Sequence, residues 1–144
     1  VEEHISDAKG RGAQVLTGGQ RHEKGGNFFQ PTILTHVPGD ALIFREETFG
    51  PVAPLFRFKT DEEGIAMAND SEFGLSGALW TTNKELAKSL ARRMDTGGVF
   101  VNGFSASDPR IPIGGVKKSG YGRELSDYGV HEFMNIQTVW FDRR

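Results

Sequence analysis

The sequence contains no cysteine, which removes disulfides, thiolate metal sites and a cysteine nucleophile from anything these 144 residues do by themselves. It has no apolar run near the ~20 residues that span a bilayer. Nothing at its start has the charged-then-apolar form of a secretion signal, so a cytoplasmic protein with no membrane contact is expected. Excess positive charge is missing too. The formal net charge is -2, and Lys117–Lys118 with the terminal Arg143–Arg144 are too few to track a phosphate backbone, so nucleic acid is not an expected partner. Several catalytic patterns are absent as well. His4, His22, His36 and His131 stand singly without metal-ligand spacing, so no metal is expected and they read as surface residues. No G-x-S-x-G elbow surrounds Ser105 or Ser107. Lys117-Lys118-Ser119 lacks the Gly-Lys-Ser/Thr order of a P-loop, and Gly120-Tyr121-Gly122 is followed by Arg123-Glu124 with no strong apolar strand before it, so it is not a dinucleotide fingerprint.

What is present is an ordinary globular composition. Hydrophobic residues at 37%, including eleven Phe, suffice for a core in one domain or in part of a larger one. The chain opens on Val1 inside a helical pattern of Val1, Ile5 and Ala8 with no capping residue before it, so a preceding part of the protein is expected. Residues 12–19 read as a short strand between glycines and 20–27 as an exposed turn. The β-rich stretch 28–37 is interrupted by Pro31, which suits a sheet edge.

From Val52 a β-α alternation sets in. A strand over 52–58 precedes a helix to Asn69, with Thr60 and Glu63 at capping-box spacing. A strand over 76–80 precedes a helix with Thr82 and Glu85 at the same spacing and Leu86, Ala87, Leu90 and Met94 inward. A third apolar strand covers 99–102. Strands separated in this way predict an α/β fold, a mostly parallel sheet with flanking helices. Residues 103–122, with five glycines, two prolines and no periodicity, read as a long ordered loop. A short helix over 126–133 and a strand over 135–140 complete the chain.

Two loops stand out chemically. In Glu46-Glu47-Thr48-Phe49-Gly50-Pro51 a carboxylate is placed to accept hydrogen bonds from vicinal hydroxyls such as those of a ribose, with an aromatic ring beside it for a flat heterocycle. The same residues also suit a solvated acidic turn followed by a core Phe. In the segment from Gly114-Gly115-Val116-Lys117-Lys118 to Ser119-Gly120-Tyr121-Gly122-Arg123-Glu124 the glycines permit close backbone approach, which reads as a structural loop and not as a phosphate cradle. Asp61, Glu62 and Glu63 are first-turn charge on a helix and not an acid/base pair.

These two loops in this order, with Phe73-Gly74-Leu75-Ser76 and Gly98-Val99-Phe100-Val101-Asn102 between them, resemble the aldehyde dehydrogenase superfamily over essentially the whole chain. The similarity is to the C-terminal part of family members. It implies that residues 1–134 belong to the catalytic domain and that 135–144 form an oligomerisation strand and tail. By the same resemblance Glu47 looks like the carboxylate that binds the nicotinamide ribose of NAD or NADP, and Phe49 like the aromatic beside the nicotinamide. Ser107 and Ile113 fall where the family lines the substrate tunnel, with Ser105 and Phe104 close by; most relatives carry Phe where this chain has Ile113. Glu124 sits at a position given a remote proton-relay role in some members, for which a structural ion pair within the loop is the alternative.

The segments 26–32, 54–58 and 131–140 are similar to succinate-semialdehyde dehydrogenases, in which a Ser at the position of Ser107 helps hold the substrate carboxylate; Arg110 is a further in-chain candidate for that anion. The resemblance implies attack of a Cys thiolate on the aldehyde, hydride transfer to NAD(P)+ and hydrolysis by a Glu-activated water, with the Cys and that Glu lying before Val1. These residues alone are then expected to be inactive. Partners are a small-molecule aldehyde and further copies of the chain in a homo-oligomer. The alternatives are another aldehyde specificity, or a non-catalytic oligomerisation module built around the final strand.

Overall fold

The computed structural model describes residues 1–143; Arg144, part of the tail expected over 135–144, lies outside the described residues. The fold is α/β, and it divides into two compact units, Val1–Gly64 and Ile65–Arg144.

In the first unit, helix α1 (Glu2–Gly10) opens with Glu2 and Glu3 at its positive end and closes with Lys9 at its negative end, the charge order that the helix dipole favours. Strands β1 (Gln14–Thr17) and β2 (Thr32–Thr35) pair antiparallel, and helix α2 (Leu42–Arg45) leads into β3 (Val52–Pro54), which pairs parallel to β2. The sheet order is β1-β2-β3. The segment expected at an edge is therefore the central strand. Pro31 stands just outside it and removes no ladder donor, while Thr32 N–H donates to the Pro51 carbonyl at 2.8 Å. Ile5 and Ala8 of α1, Leu34 of β2, Val37, Ala41 and Ile43 make the core, with Leu34 fully buried. Phe44 meets Phe56 edge-to-face at 4.9 Å.

Helix α3 (Asp61–Asn69) spans the boundary between the units. Its start makes half of the expected capping box: Glu63 N–H donates to Thr60 Oγ1, while the Glu63 carboxylate accepts from Lys59 N–H at 2.7 Å, one residue before the cap.

The second unit holds two small sheets. Strand β4 (Phe73–Gly74) pairs antiparallel with a strand in the glycine-rich loop, while β5 (Ser76–Leu79), helix α4 (Lys84–Ala91) and β6 (Gly98–Val101) form the expected parallel crossover. The α4 N-cap is Asn83, whose side chain accepts from Leu86 N–H, and not Thr82; the amide oxygen one residue later reaches the free donor. The partner of β4 is β7 (Val116–Lys117) within the stretch expected as loop, and α5 (Ser126–His131) ends sooner than expected.

The mostly parallel sheet is thus replaced by three small sheets, one mixed (β1-β2-β3), one antiparallel (β4-β7) and one parallel (β5-β6), because β1 pairs antiparallel with β2 and the glycine-rich loop returns β7 antiparallel to β4. Residues 135–140 form no strand: among the described residues they have no ladder partner, and an isolated extended segment gains no sheet hydrogen bonds. Among the described residues no helix is long and apolar enough to cross a membrane, and no group of three or more His, Cys, Asp or Glu is placed to hold a metal ion.

Candidate functional site

The segment 46–51 leaves α2 with Glu46 extended, at φ -108° and ψ 153°. The next residues alternate in their partners. Glu46 Oε2 lies 3.1 Å from His4 Nε2, and Thr48 Oγ1 lies 2.7 Å from His4 Nδ1, so both side chains turn toward one imidazole on α1. Glu47 and Phe49, which alternate with them in sequence, make no hydrogen bond to His4. Both are exposed, Phe49 at 84%, and the Glu47 carboxylate has no hydrogen-bond or ionic partner among the described residues. An unengaged carboxylate beside an open aromatic face has the donor-accepting and stacking capacity that a ribose diol joined to a heterocycle requires. This geometry fits a nicotinamide coenzyme.

His4 is not the surface residue that its isolated place in the sequence suggests: it is 9% exposed, on the helix that carries Ile5 and Ala8 of the core. Because a carboxylate only accepts, Nε2 carries the proton toward Glu46, while Nδ1 accepts from the Thr48 hydroxyl in the neutral ring. The signal available was helical spacing. His4, Asp7 and Arg11 lie three and four residues apart, on one face of a helix.

In the second unit Ser105, Ser107 and Glu124 are exposed and Ile113 is half-buried. Ser105 and Ile113 line a recess of about 40 Å³ with Ser76, Gly98 and Phe100, whereas Ser107 does not border it. Ile113 and Glu124 are brought together through their backbones, with N–H to carbonyl distances of 2.8 and 2.7 Å in the two directions. They border a shallower recess of about 390 Å³ under Tyr121 and Phe133. No ion pair engages Glu124 among the described residues, so the loop ion pair considered for it does not form; the neighbouring Arg123 guanidinium donates to the Gly115 and Gly122 carbonyls instead.

Arg110 grips Asp108 at 2.6 Å and 2.9 Å, and its hydrogen-bonded charge holds the Asp108 carboxyl below the usual carboxylate range. Its cation is already compensated, which weakens it as a receptor for a substrate carboxylate.

Comparison with known proteins agrees with the sequence resemblance. The model of the aldehyde dehydrogenase family matches residues 1–139. The chain is 49% identical over 143 residues to the succinate semialdehyde dehydrogenase [NAD(P)+] Sad of Escherichia coli (strain K12), covering 99% of this chain and 31% of that protein. It is 47% identical over 137 residues to the glutarate-semialdehyde dehydrogenase of Pseudomonas aeruginosa, covering 95% of this chain and 28% of that protein. The structure of aldehyde dehydrogenase from Bacillus cereus in complex with NAD+ superposes with a TM-score of 0.93 at 36% identity, over 99% of this chain and 29% of that one. The chain spans less than a third of the length of these relatives. With a family model matched along nearly its whole length and relatives at close to half identity, the chain belongs to the aldehyde dehydrogenase family.

Proposed function

We propose that the chain is the C-terminal part of an NAD(P)-dependent aldehyde dehydrogenase that oxidises succinate semialdehyde to succinate, with the nucleophilic Cys and general-base Glu in a part of the protein before Val1. The observation that carries this reading is the 46–51 segment, where Glu47 and Phe49 face out together while Glu46 and Thr48 are tied to His4. Residues 1–134 complete the catalytic domain, and 135–144 pair with a partner subunit in a homo-oligomer.

In this reading Glu47 accepts hydrogen bonds from the nicotinamide ribose hydroxyls and Phe49 packs beside the ring. When bound, NAD or NADP supplies the hydride acceptor. These residues orient and exclude water; they contribute proximity, not bond-making. Ser105, Ser107 and Ile113 shape the aldehyde's entry, and the Ser107 hydroxyl donates to the substrate carboxylate. In the same reading Glu124, which has no ion pair among the described residues and is held by its backbone opposite Ile113, passes protons at a distance from the reacting carbon. The succinate and glutarate semialdehyde names of relatives support an aldehyde with a terminal carboxylate.

The full-length protein should reduce NAD(P)+ faster with succinate semialdehyde than with butyraldehyde, an uncharged aldehyde of similar length. Ser107→Ala should raise KM for the acid aldehyde by roughly ten- to a hundredfold, the worth of one hydrogen bond to a charged group, and leave butyraldehyde near its original value. Equal rates on both aldehydes would withdraw the substrate while keeping the family.

Glu47→Gln keeps the shape and removes the charge, so it should lower kcat and weaken coenzyme binding by roughly tenfold or more, as loss of a charged acceptor does. Stopped-flow absorbance of reduced coenzyme measures the step. Unchanged kinetics would remove Glu47 from the site.

A further inference from the structure

Helix α1 carries three polar side chains on one face, each gripping the segment that follows β2. Arg11 donates to Asp40 Oδ2 at 2.7 Å and to Asp7 Oδ1 at 2.8 Å. Asp7 accepts from Leu42 N–H at 2.8 Å and so caps α2. His4 bonds Glu46 and Thr48, the two neighbours of Glu47. Moving back along α1 from Arg11 to His4, the partners advance from Asp40 through Leu42 to Thr48, so helix and segment run antiparallel and are fastened at successive turns.

The last fastening is Val1. A Cβ added at Gly50 would overlap Val1 Cγ2 and come within 3.6 Å of Val1 Cβ, so the loop backbone lies directly against this residue. Glu47 lies between the two residues that His4 bonds and Phe49 between Thr48 and Gly50, and neither side chain has a hydrogen bond or ion pair among the described residues.

We infer that His4, backed by Asp7 and Arg11, is a positioning residue that fixes where Glu47 and Phe49 meet the coenzyme. This inference rests on the reading of Glu47 and Phe49 as coenzyme contacts. Its physical basis is preorganisation: 47–49 is irregular chain, and two hydrogen bonds from a buried ring restrict it before any ligand arrives. The burial of His4 matters because a ring that is 9% exposed and bonded at both nitrogens has little freedom of its own.

The test uses the full-length protein with His4→Ala, His4→Gln, Glu47→Gln and the double variant His4→Ala/Glu47→Gln. NAD+ and NADP+ affinities are read by calorimetry, beside aldehyde KM and thermal midpoint. His4→Ala should weaken coenzyme binding roughly three- to tenfold, the worth of one or two hydrogen bonds, with little change in aldehyde KM. His4→Gln, which keeps one donor and one acceptor, should recover most of that loss. In the Glu47→Gln background His4→Ala should add little, because the group it positions is already gone.

A lower thermal midpoint with unchanged coenzyme affinity would reduce His4 to a packing residue and overturn the inference, as would full additivity with Glu47→Gln. If His4→Ala does not fold, Thr48→Val removes one of the two bonds at similar volume and should weaken coenzyme binding in the same direction; no weakening overturns the inference. Glu47→Gln separates the two levels. If it leaves coenzyme affinity unchanged, the coenzyme reading fails and this inference falls with it. If it weakens binding while His4→Ala does not, only the positioning role fails.

Discussion

The 144-residue chain, purified by itself and given succinate semialdehyde with NAD+ or NADP+, should form no reduced coenzyme above the blank. The chain has no Cys, and among the described residues no other side chain combines an activating base with a free nucleophile in a closed pocket: Ser105 and Ser107 are exposed, and no described His is bonded to either. The loss is expected to be complete, since proximity and coenzyme orientation accelerate nothing without a group to attack the carbonyl. The same preparation should self-associate. Phe133, Ile136, Trp140 and Phe141 are each at least 84% exposed and follow one another in a segment with no ladder partner among the described residues. Such a run of apolar side chains is removed from water by pairing with further copies. Absorbance at the reduced-coenzyme band and sedimentation velocity measure the two outcomes together. Turnover by this chain would place a nucleophile within it and overturn the assignment of the Cys to a part before Val1; a monodisperse monomer would contradict the role given to 135–140.

How much of this was legible in the sequence differs between local and non-local features. The β5-α4-β6 crossover was legible because Leu86, Ala87 and Leu90 repeat at helical spacing between two apolar runs, and the Thr60/Glu63 cap because its two partners lie three residues apart. The antiparallel pairing of Phe73–Gly74 with Val116–Lys117 was not, since two-residue strands carry no periodicity and their partners lie far apart in the chain. Helix α2 was too short to show a period. The 46–51 loop was recognisable by its residues, but the reason it holds its shape was hidden. His4 bonds across more than forty positions, and a single His beside core residues looks no different in sequence from one on the surface.

Gly97→Ala is the substitution expected to cost the most stability. Its Cβ would overlap the Gly114 carbonyl oxygen, sit 2.7 Å from the Gly114 carbonyl carbon and lie 3.1 Å from Gly115 Cα. All three atoms are backbone, so no side chain can swing aside, and the displaced segment is fixed on its far side by Gly115, where a Cβ would come 2.6 Å from Ser119 Cβ. Ser119 Oγ in turn accepts from Gly74 N–H at 3.0 Å, and Gly97 N–H donates to the Gly74 carbonyl at 3.0 Å. One methyl group would therefore push apart β4, the start of β6 and the loop that carries Ile113. We expect a loss of about 3 kcal/mol or more, at the upper end for an overpacked site because the obstruction is main chain. The control lies in the same loop. Gly122 has nothing within 4 Å of an added Cβ and needs no positive φ, so Gly122→Ala should stay within about 0.5 kcal/mol of the parent. Thermal unfolding of the full-length protein measures both, and KM for the aldehyde should rise in Gly97→Ala as the recess under Ile113 opens. Equal midpoints for the two variants would show that the glycine-rich loop yields freely, and that its approach to Gly97 does not fix the position of Ile113.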